Sequence, residues 1–215
     1  MIRHFAGPIE RYVAEPAEDF ALDDLHAADA DPWGVDSRWY ETRKRTLLLA
    51  ALPRPRFRHG LEIGSSTGAL AADLATRCDD LLVVDASAHA VAAARRRLRD
   101  AGSVRVEQHR VPEEWPTPPD GGFDLVVVSE VGYFLIPHGL DDLVGRIRRS
   151  LAPDGVLVLC HWRHDIAGWP LDGPLVHTVM TRADVRPVLA RYEDRDFELL
   201  VLADPGELPD PQADA

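Results

Sequence analysis

Between about residues 57 and 160, short apolar runs alternate with segments of helical periodicity, and that alternation leaves room for little besides a parallel α/β sheet. A strand covered by helices on both faces has no use for polar positions, and Leu81-Leu82-Val83-Val84 has none. The first strand reads from Phe57 to Ile63, and a helix follows over about 68–77 with Leu70, Ala71 and Leu74 on one face. Asp85 closes the second strand, and Ser87 can cap a helix in which Val91, Ala94 and Leu98 share a side. Val104 and Val106 alternate with polar residues in a third strand, and Phe123–Val128 is a fourth. Leu140, Leu143, Val144, Ile147 and Leu151 have the spacing of one helical stripe. Pro153-Asp154-Gly155 reads as a turn ahead of a fifth strand over Val156–Cys160. A short helix near 174–181 and strands near 187–195 and 197–203, paired as a hairpin at the sheet edge, complete the pattern. No repeat or linker interrupts it, so residues 37–203 read as one domain.

Charge divides the chain more clearly than composition does. The formal net charge is -12, but residues 37–202 hold 23 acids against 22 bases. Residues 1–36 hold nine acids and two bases, and read as an acidic N-terminal segment or helical cap. Residues 204–215 read as a disordered acidic tail. No apolar run approaches the roughly 18 residues of a membrane-spanning helix, and no apolar h-region marks the N-terminus. Cys78 and Cys160 lie far apart, as in a reduced cytoplasmic protein. No basic stripe stands out beyond Arg95-Arg96-Arg97 and Arg99, so the expected partner is a small molecule, with neither nucleic acid nor membrane. Oligomeric state leaves no mark in the sequence.

The strongest local signal is Leu61-Glu62-Ile63-Gly64-Ser65-Ser66-Thr67-Gly68, set between strand and helix and followed by Asp85 at the next strand's end. Glycines at a strand exit let the backbone turn tightly against a ligand that a Cβ would block. The helix N-terminus behind them offers free N–H groups. An acid at the tip of the second strand is placed to accept both hydroxyls of a ribose. A dinucleotide site wants a middle glycine where the pyrophosphate meets backbone. Here Ser66 stands between Gly64 and Gly68, and Glu62 would repel a pyrophosphate. A cationic, phosphate-free nucleoside fits better, and S-adenosyl-L-methionine carries an ammonium and a sulfonium. The segment resembles motif I, E-x-G-x-G-x-G, of class I S-adenosylmethionine-dependent methyltransferases, with Ser66 in place of the middle glycine.

Further segments narrow the resemblance. Asp31-Pro32-Trp33-Gly34, Trp39-Tyr40-Glu41 and Arg43-Lys44-Arg45 precede the first strand. Pro112-Glu113-Glu114-Trp115-Pro116 and Ser129-Glu130-Val131-Gly132-Tyr133-Phe134-Leu135 stand in the middle. His161-Trp162-Arg163 and Gly173-Pro174-Leu175-Val176-His177 follow the fifth strand. Together they make the chain similar, over about 31–202, to the NodS-like methyltransferases, the family of the nodulation-factor N-methyltransferase. The resemblance implies a Rossmann-like seven-stranded methyltransferase sheet with helices on both faces. It also implies methyl transfer to the amine of an amino sugar or sugar-derived metabolite. An O- or N-methyltransferase of another natural-product scaffold is the alternative. A nicotinamide-dependent oxidoreductase lacks its G-x-G-x-x-G here, and a non-catalytic cofactor-binding module sits poorly with intact Gly64, Gly68 and Asp85.

Roles then follow position by position. Gly64, Ser65 and Gly68 should line the methionine end of the cofactor, Glu62 orient it, and Asp85 with Ala86 hold the ribose; Ser129 and Tyr40 are further cofactor candidates. Glu62 reads equally as a buried acid satisfied by backbone N–H groups. Adenine would lie along Gln108-His109-Arg110-Val111, where methyltransferases often place an acid and this chain does not. Recognition there falls to backbone groups and apolar contacts, with Trp115 either covering that edge or packing on the core. Glu130 and His161, at the ends of the fourth and fifth strands, are the catalytic candidates for taking a proton from, or orienting, an acceptor amine. A salt-bridged acid and a backbone-bonded neutral histidine are the ordinary alternatives. Trp33, Tyr133, Trp162 and His177 are the candidate acceptor contacts. Tyr40 with Arg43 or Lys44 either meets the cofactor carboxylate or belongs to an amphipathic helix packed on the sheet. His161 and His164 lack a Cys or carboxylate to complete a metal set, so no metal is expected. If the acidic N-terminal segment covers the site, its charge favours a cationic acceptor.

Overall fold

The computed structural model describes residues 20–166 and 168–208. Its centre is a seven-stranded sheet of β1 (Phe57–Ile63), β2 (Cys78–Asp85), β3 (Val104–Gln108), β4 (Phe123–Ser129), β5 (Leu151–Trp162), β6 (Val188–Glu193) and β7 (Phe197–Leu202). The spatial order is β3-β2-β1-β4-β5-β7-β6, with β7 antiparallel to both neighbours and the other pairs parallel. Among the described residues six helices accompany it: α1 (Phe20–Ala28), α2 (Trp39–Ala51), α3 (Ala69–Leu74), α4 (Ala88–Arg97), α5 (Pro137–Ser150) and α6 (Gly173–Arg182). This is the Rossmann-like methyltransferase architecture.

Side-chain alternation along the strands sorts the core into two layers. Leu81, Val83, Leu125, Val127, Val156 and Val158 point to the face covered by Leu48 of α2, Leu74 of α3 and Val91 and Ala94 of α4. Leu82, Val84, Val126, Val128, Leu157 and Leu159 point to the other, under Leu140, Leu143 and Ile147 of α5 and Val176 and Met180 of α6. The α5 stripe is buried at the spacing the sequence shows, and the helix opens on Pro137 with Ser150 at its end. Ser87 caps α4 by accepting from Ala90 N at 3.1 Å, and Asp172 caps α6 by accepting from Leu175 N at 2.7 Å.

Two boundaries differ from the sequence reading. β2 starts at Cys78, because Cys78 pairs with Phe57 at the foot of β1. Pro153-Asp154-Gly155 is not a turn between elements but a bulge inside β5: Leu151 pairs with Phe123 and Val156 with Leu125. Arginines satisfy its carbonyls, Arg54 on Asp154 O at 2.9 Å and Arg186 on Ala152 O at 2.8 Å. At the chain's end Pro205–Glu207 forms one 3-10 turn, with Glu207 3.2 Å from Arg54 Nε, so the expected tail begins as packed structure. Residues 209–215 of that tail, and 1–19 of the acidic N-terminal segment, lie outside the described residues. Among the described residues no helix is long and apolar enough to cross a membrane.

Candidate active site

Strand order reverses between β1 and β4, so the chains leaving their carboxyl ends diverge and open a crevice. The glycine loop leaves β1 on one side of it. Gly64 has φ +83°, and a Cβ there would stand 2.1 Å from Cγ2 of Val131, which leaves β4. Only a residue without a Cβ lets the two exits meet this closely. Gly68, at φ +79°, turns the chain into α3, its N–H donating to Ser65 O at 2.7 Å.

Asp85 gathers the loop. Its Oδ2 accepts from Ser66 N at 3.0 Å and from Ser65 Oγ at 3.4 Å, and its Oδ1 from Ser87 N at 2.9 Å. Burial raises its carboxyl, while those backbone donors pull the other way. Each carboxylate oxygen accepts from two directions, so Oδ1 keeps one for a hydroxyl. Glu62 is buried below the loop, and its Oε2 has no partner. Burial beside Asp85 and Asp73 holds its carboxyl well above the usual range. Ser66 Oγ is likewise buried and unpartnered. These unmet oxygens contradict the reading of Glu62 as satisfied by backbone, and they suit a ligand with a cationic end and a ribose. Beyond Asp85 a cavity of about 330 Å³ is lined by Ala86, Gln108, Arg110 and Glu114. Glu114, an acid among these lining residues, is brought there by the loop after β3. Glu114 Oε2 accepts from Arg110 N at 2.9 Å, and Gln108 Nε2 donates to Ala86 O at 3.0 Å. Trp115, like Val111 and Phe134, is partly buried and packs against the core layer under α5 and α6.

On the other side of the crevice Ser129 ends β4, its carbonyl 3.9 Å from where a Gly64 Cβ would be. Glu130 follows at φ +58°, left-handed backbone that a non-glycine residue adopts under strain. Its N–H donates to Cys160 O at 2.9 Å. Its carboxylate accepts from Lys44 Nζ at 2.6 Å, from Trp162 N at 3.0 Å and from the Tyr133 hydroxyl. Lys44 is itself buried and stands 3.0 Å from Glu41, whose carboxyl burial pushes up. The Lys44 ammonium lies 5.2 Å from the Tyr40 ring centroid, and Tyr40 meets Trp162 and Phe197 edge-on. Thus Glu130, Tyr133, Trp162 and Tyr40 are brought together around one buried ammonium. Neither base next to Tyr40 is free for a cofactor carboxylate: Lys44 is held by two acids, and Arg43 reaches away to Asp194 at 2.7 Å. The Tyr40 hydroxyl is buried without a partner.

His161 and His177 do not reach the crevice. His161 is fully buried, with both ring nitrogens engaged, by Gly132 N at 3.2 Å and His177 Nε2 at 2.9 Å. Burial, with His177 and Lys44 nearby, holds its ring well below the usual histidine range. That geometry overturns direct action of His161 on an acceptor, and contact of the buried His177 with one. Trp33 stands elsewhere, edge-on to His26 at 5.0 Å, in the segment between α1 and α2. That segment is clasped to the cofactor side of the crevice. Asp36 of that segment takes Thr67 Oγ1 at 3.4 Å and Arg97, and Asp23 of the preceding α1 accepts from Ser87 Oγ at 2.5 Å. The sequence reading missed Glu41 and His26. The first was signalled by its place three residues before Lys44 on the buried side of α2.

Comparison with known proteins agrees with this geometry. A methyltransferase domain model matches residues 61–155, from the glycine loop to the bulge of β5. A Pseudomonas syringae protein of known structure, described as a methyltransferase, is 43% identical over 77% of this chain and 99% of its own, with a TM-score of 0.68. The N-methyltransferase NodS of Bradyrhizobium japonicum WM9, solved with S-adenosyl-L-homocysteine, is 27% identical over 86% of this chain and 97% of its own, with a TM-score of 0.74. A search of curated proteins gave no match. The loop, the acid of β2 and the unmet Glu62 oxygen all fit that cofactor, and the chain belongs to the S-adenosylmethionine-dependent methyltransferases.

Proposed function

We propose that the chain methylates the amine of an amino sugar or sugar-derived metabolite. The observation that carries this is the charge at the β4 exit. One ammonium, Lys44, lies between the carboxyl groups of Glu130 and Glu41, which leaves negative charge in excess for a cationic acceptor. Likeness to NodS, an N-methyltransferase, supports the same reading. When bound, S-adenosylmethionine supplies a methyl already electrophilic on its sulfonium. The chain's part is to hold both reactants in line and close.

Glu62 takes the ammonium, Gly64, Ser65 and Gly68 give backbone close approach, and Asp85 with Ala86 holds the ribose. Gln108 and Glu114 take the adenine edge, while Ser129 O and Tyr40 border the methionine end. Across the crevice an amine attacks only when unprotonated, and Glu130, steadied by Tyr133 and Lys44, is the carboxylate placed to accept its proton. Trp162 flanks the acceptor. Methyl transfer from radiolabelled S-adenosylmethionine should therefore go to amino sugars ahead of amino alcohols and phenols. Glu130→Gln should slow it about 100-fold or more while S-adenosylhomocysteine affinity stays unchanged. Transfer confined to phenols would favour O-methylation of another scaffold and overturn the proposal.

Glu62 gives a second test. Burial raises its pKa and so favours the protonated form in the free protein, and a bound ammonium favours the charged form. Binding must then expel a proton, and affinity must rise with pH through the range of the raised pKa. Calorimetry of S-adenosylhomocysteine binding in buffers of different ionisation enthalpy should show net proton release. Glu62→Gln should abolish that release. Equal apparent heats in all buffers would contradict the role.

A further inference from the structure

His161 and His177 lie below the rim, yet their hydrogen bonds begin at it. Gly132, which opens the one-turn 3-10 helix Gly132–Phe134 after Glu130, donates its N–H to His161 Nε2 at 3.2 Å. His161 Nδ1 faces His177 Nε2 at 2.9 Å. His177 Nδ1 stands 3.2 Å from Glu198 Oε2 on β7, an ion-pair distance without the alignment of a hydrogen bond, and Arg191 of β6 lies 2.9 Å from Glu198 Oε1. The Tyr133 ring meets His161 edge-on at 5.5 Å.

Counting protons along this line fixes its state. An amide N–H can only donate, so His161 Nε2 must be bare and its proton must sit on Nδ1. That proton points at His177 Nε2, which leaves the His177 proton on Nδ1, toward Glu198. Now add one proton to the pair. Three ring protons must be placed on four nitrogens, and the gap between the rings holds only one. Both outer nitrogens are then protonated, and His161 Nε2–H confronts the N–H of Gly132. Whichever ring takes the proton, as long as the ring-to-ring hydrogen bond is kept the contact that breaks is the one to the rim.

We propose that His161 and His177 are positioning residues which hold the Glu130–Phe134 turn only while the pair is neutral, a single shared proton releasing the turn that carries Glu130 and Tyr133. Several groups face the pair and set how readily that proton arrives. Burial, and Lys44 reaching in from α2, oppose it. Glu198 on β7 favours it, and Arg191 on β6 with Arg163 after β5 temper Glu198. Glu130 and Tyr133 complete the surroundings on the β4 side. The functional meaning rests on reading the Glu130 turn as the acceptor's side of the site, but the test below reads the turn itself.

The experiment is nitrogen-15 NMR of the full chain saturated with S-adenosylhomocysteine, titrated from about pH 8 to about pH 5. At the upper end His161 should show a bare Nε2 and a protonated Nδ1. The Gly132 amide should then move at the same midpoint as both rings. Arg191→Gln, at an exposed site, should raise that midpoint, and Glu198→Gln should lower it, each by about half a pH unit or more. A purely structural pair would lose stability in either variant without opposite shifts. A Gly132 amide that stays fixed while the rings titrate overturns the proposal. So does a proton on His161 Nε2 at neutral pH, or rings that remain neutral down to acid unfolding. If Glu198→Gln does not fold, the unaltered chain and Arg191→Gln still decide. An unchanged methyl-transfer rate in Glu130→Gln would remove the acceptor-side meaning and leave these titrations standing.

Discussion

Lys44→Met should destabilise the fold by about 3–5 kcal/mol, the usual cost of stripping one partner from a buried ion pair. The ammonium is buried, with Glu130 Oε1 at 2.6 Å and Glu41 Oε2 at 3.0 Å. Methionine fills the same volume but leaves two acids side by side without their counter-charge. It also loosens α2 from the β4 exit, because this contact joins residues far apart in the chain. For a domain of this size the loss corresponds to a fall in Tm of roughly 10 °C by scanning calorimetry. The triple variant Lys44→Met, Glu41→Gln, Glu130→Gln removes the orphaned charges and should recover a large part of that fall. An unchanged Tm in Lys44→Met would mean that water, not the ammonium, balances the two acids.

Asp85→Ala should weaken S-adenosylhomocysteine binding about 100-fold or more, as expected for losing a charge-assisted bond to a ribose hydroxyl together with the loop's anchor. The same carboxylate gathers Ser66 N, Ser65 Oγ and Ser87 N, so its removal also frees the loop to wander when no ligand is bound. Asp85→Asn separates the two effects. It keeps one acceptor and loses the charge, and should fall between the parent and alanine. Calorimetry is the direct measurement, and an affinity unaltered by Asp85→Ala would take the acid out of the cofactor site.

The sheet was legible because its strands are apolar on both faces and its helices carry one stripe each, so local pattern and global packing agree. The β5 bulge was not, since Pro153-Asp154-Gly155 has good turn chemistry and only pairing on both flanks keeps it in the ladder. The glycine loop could be read because the close approach at Gly64 demands a residue without a Cβ, and Asp85 because an acid at that strand end can gather backbone N–H groups. His161 was misplaced for a reason visible in hindsight. It shares the parity of Leu157 and Leu159, the face that packs under α6, so alternation already pointed it inward. Lys44 lies four residues before the buried Leu48 and so shares its face, but nothing local could name Glu130 as its partner. Glu114 escaped because a loop, not a strand end, delivers it to the cavity beyond Asp85.

The left-handed backbone of Glu130 has an evolutionary consequence. A glycine at that position would relax the turn by about 1 kcal/mol of backbone strain, so drift toward glycine meets no steric obstacle there. What resists it is the carboxylate's hold on Lys44, Tyr133 and Trp162. A family member that gives up methyl transfer should therefore be free to exchange this residue together with Lys44, as a pair. One that keeps the chemistry should keep both, and bear the strained turn as a standing trait of the lineage.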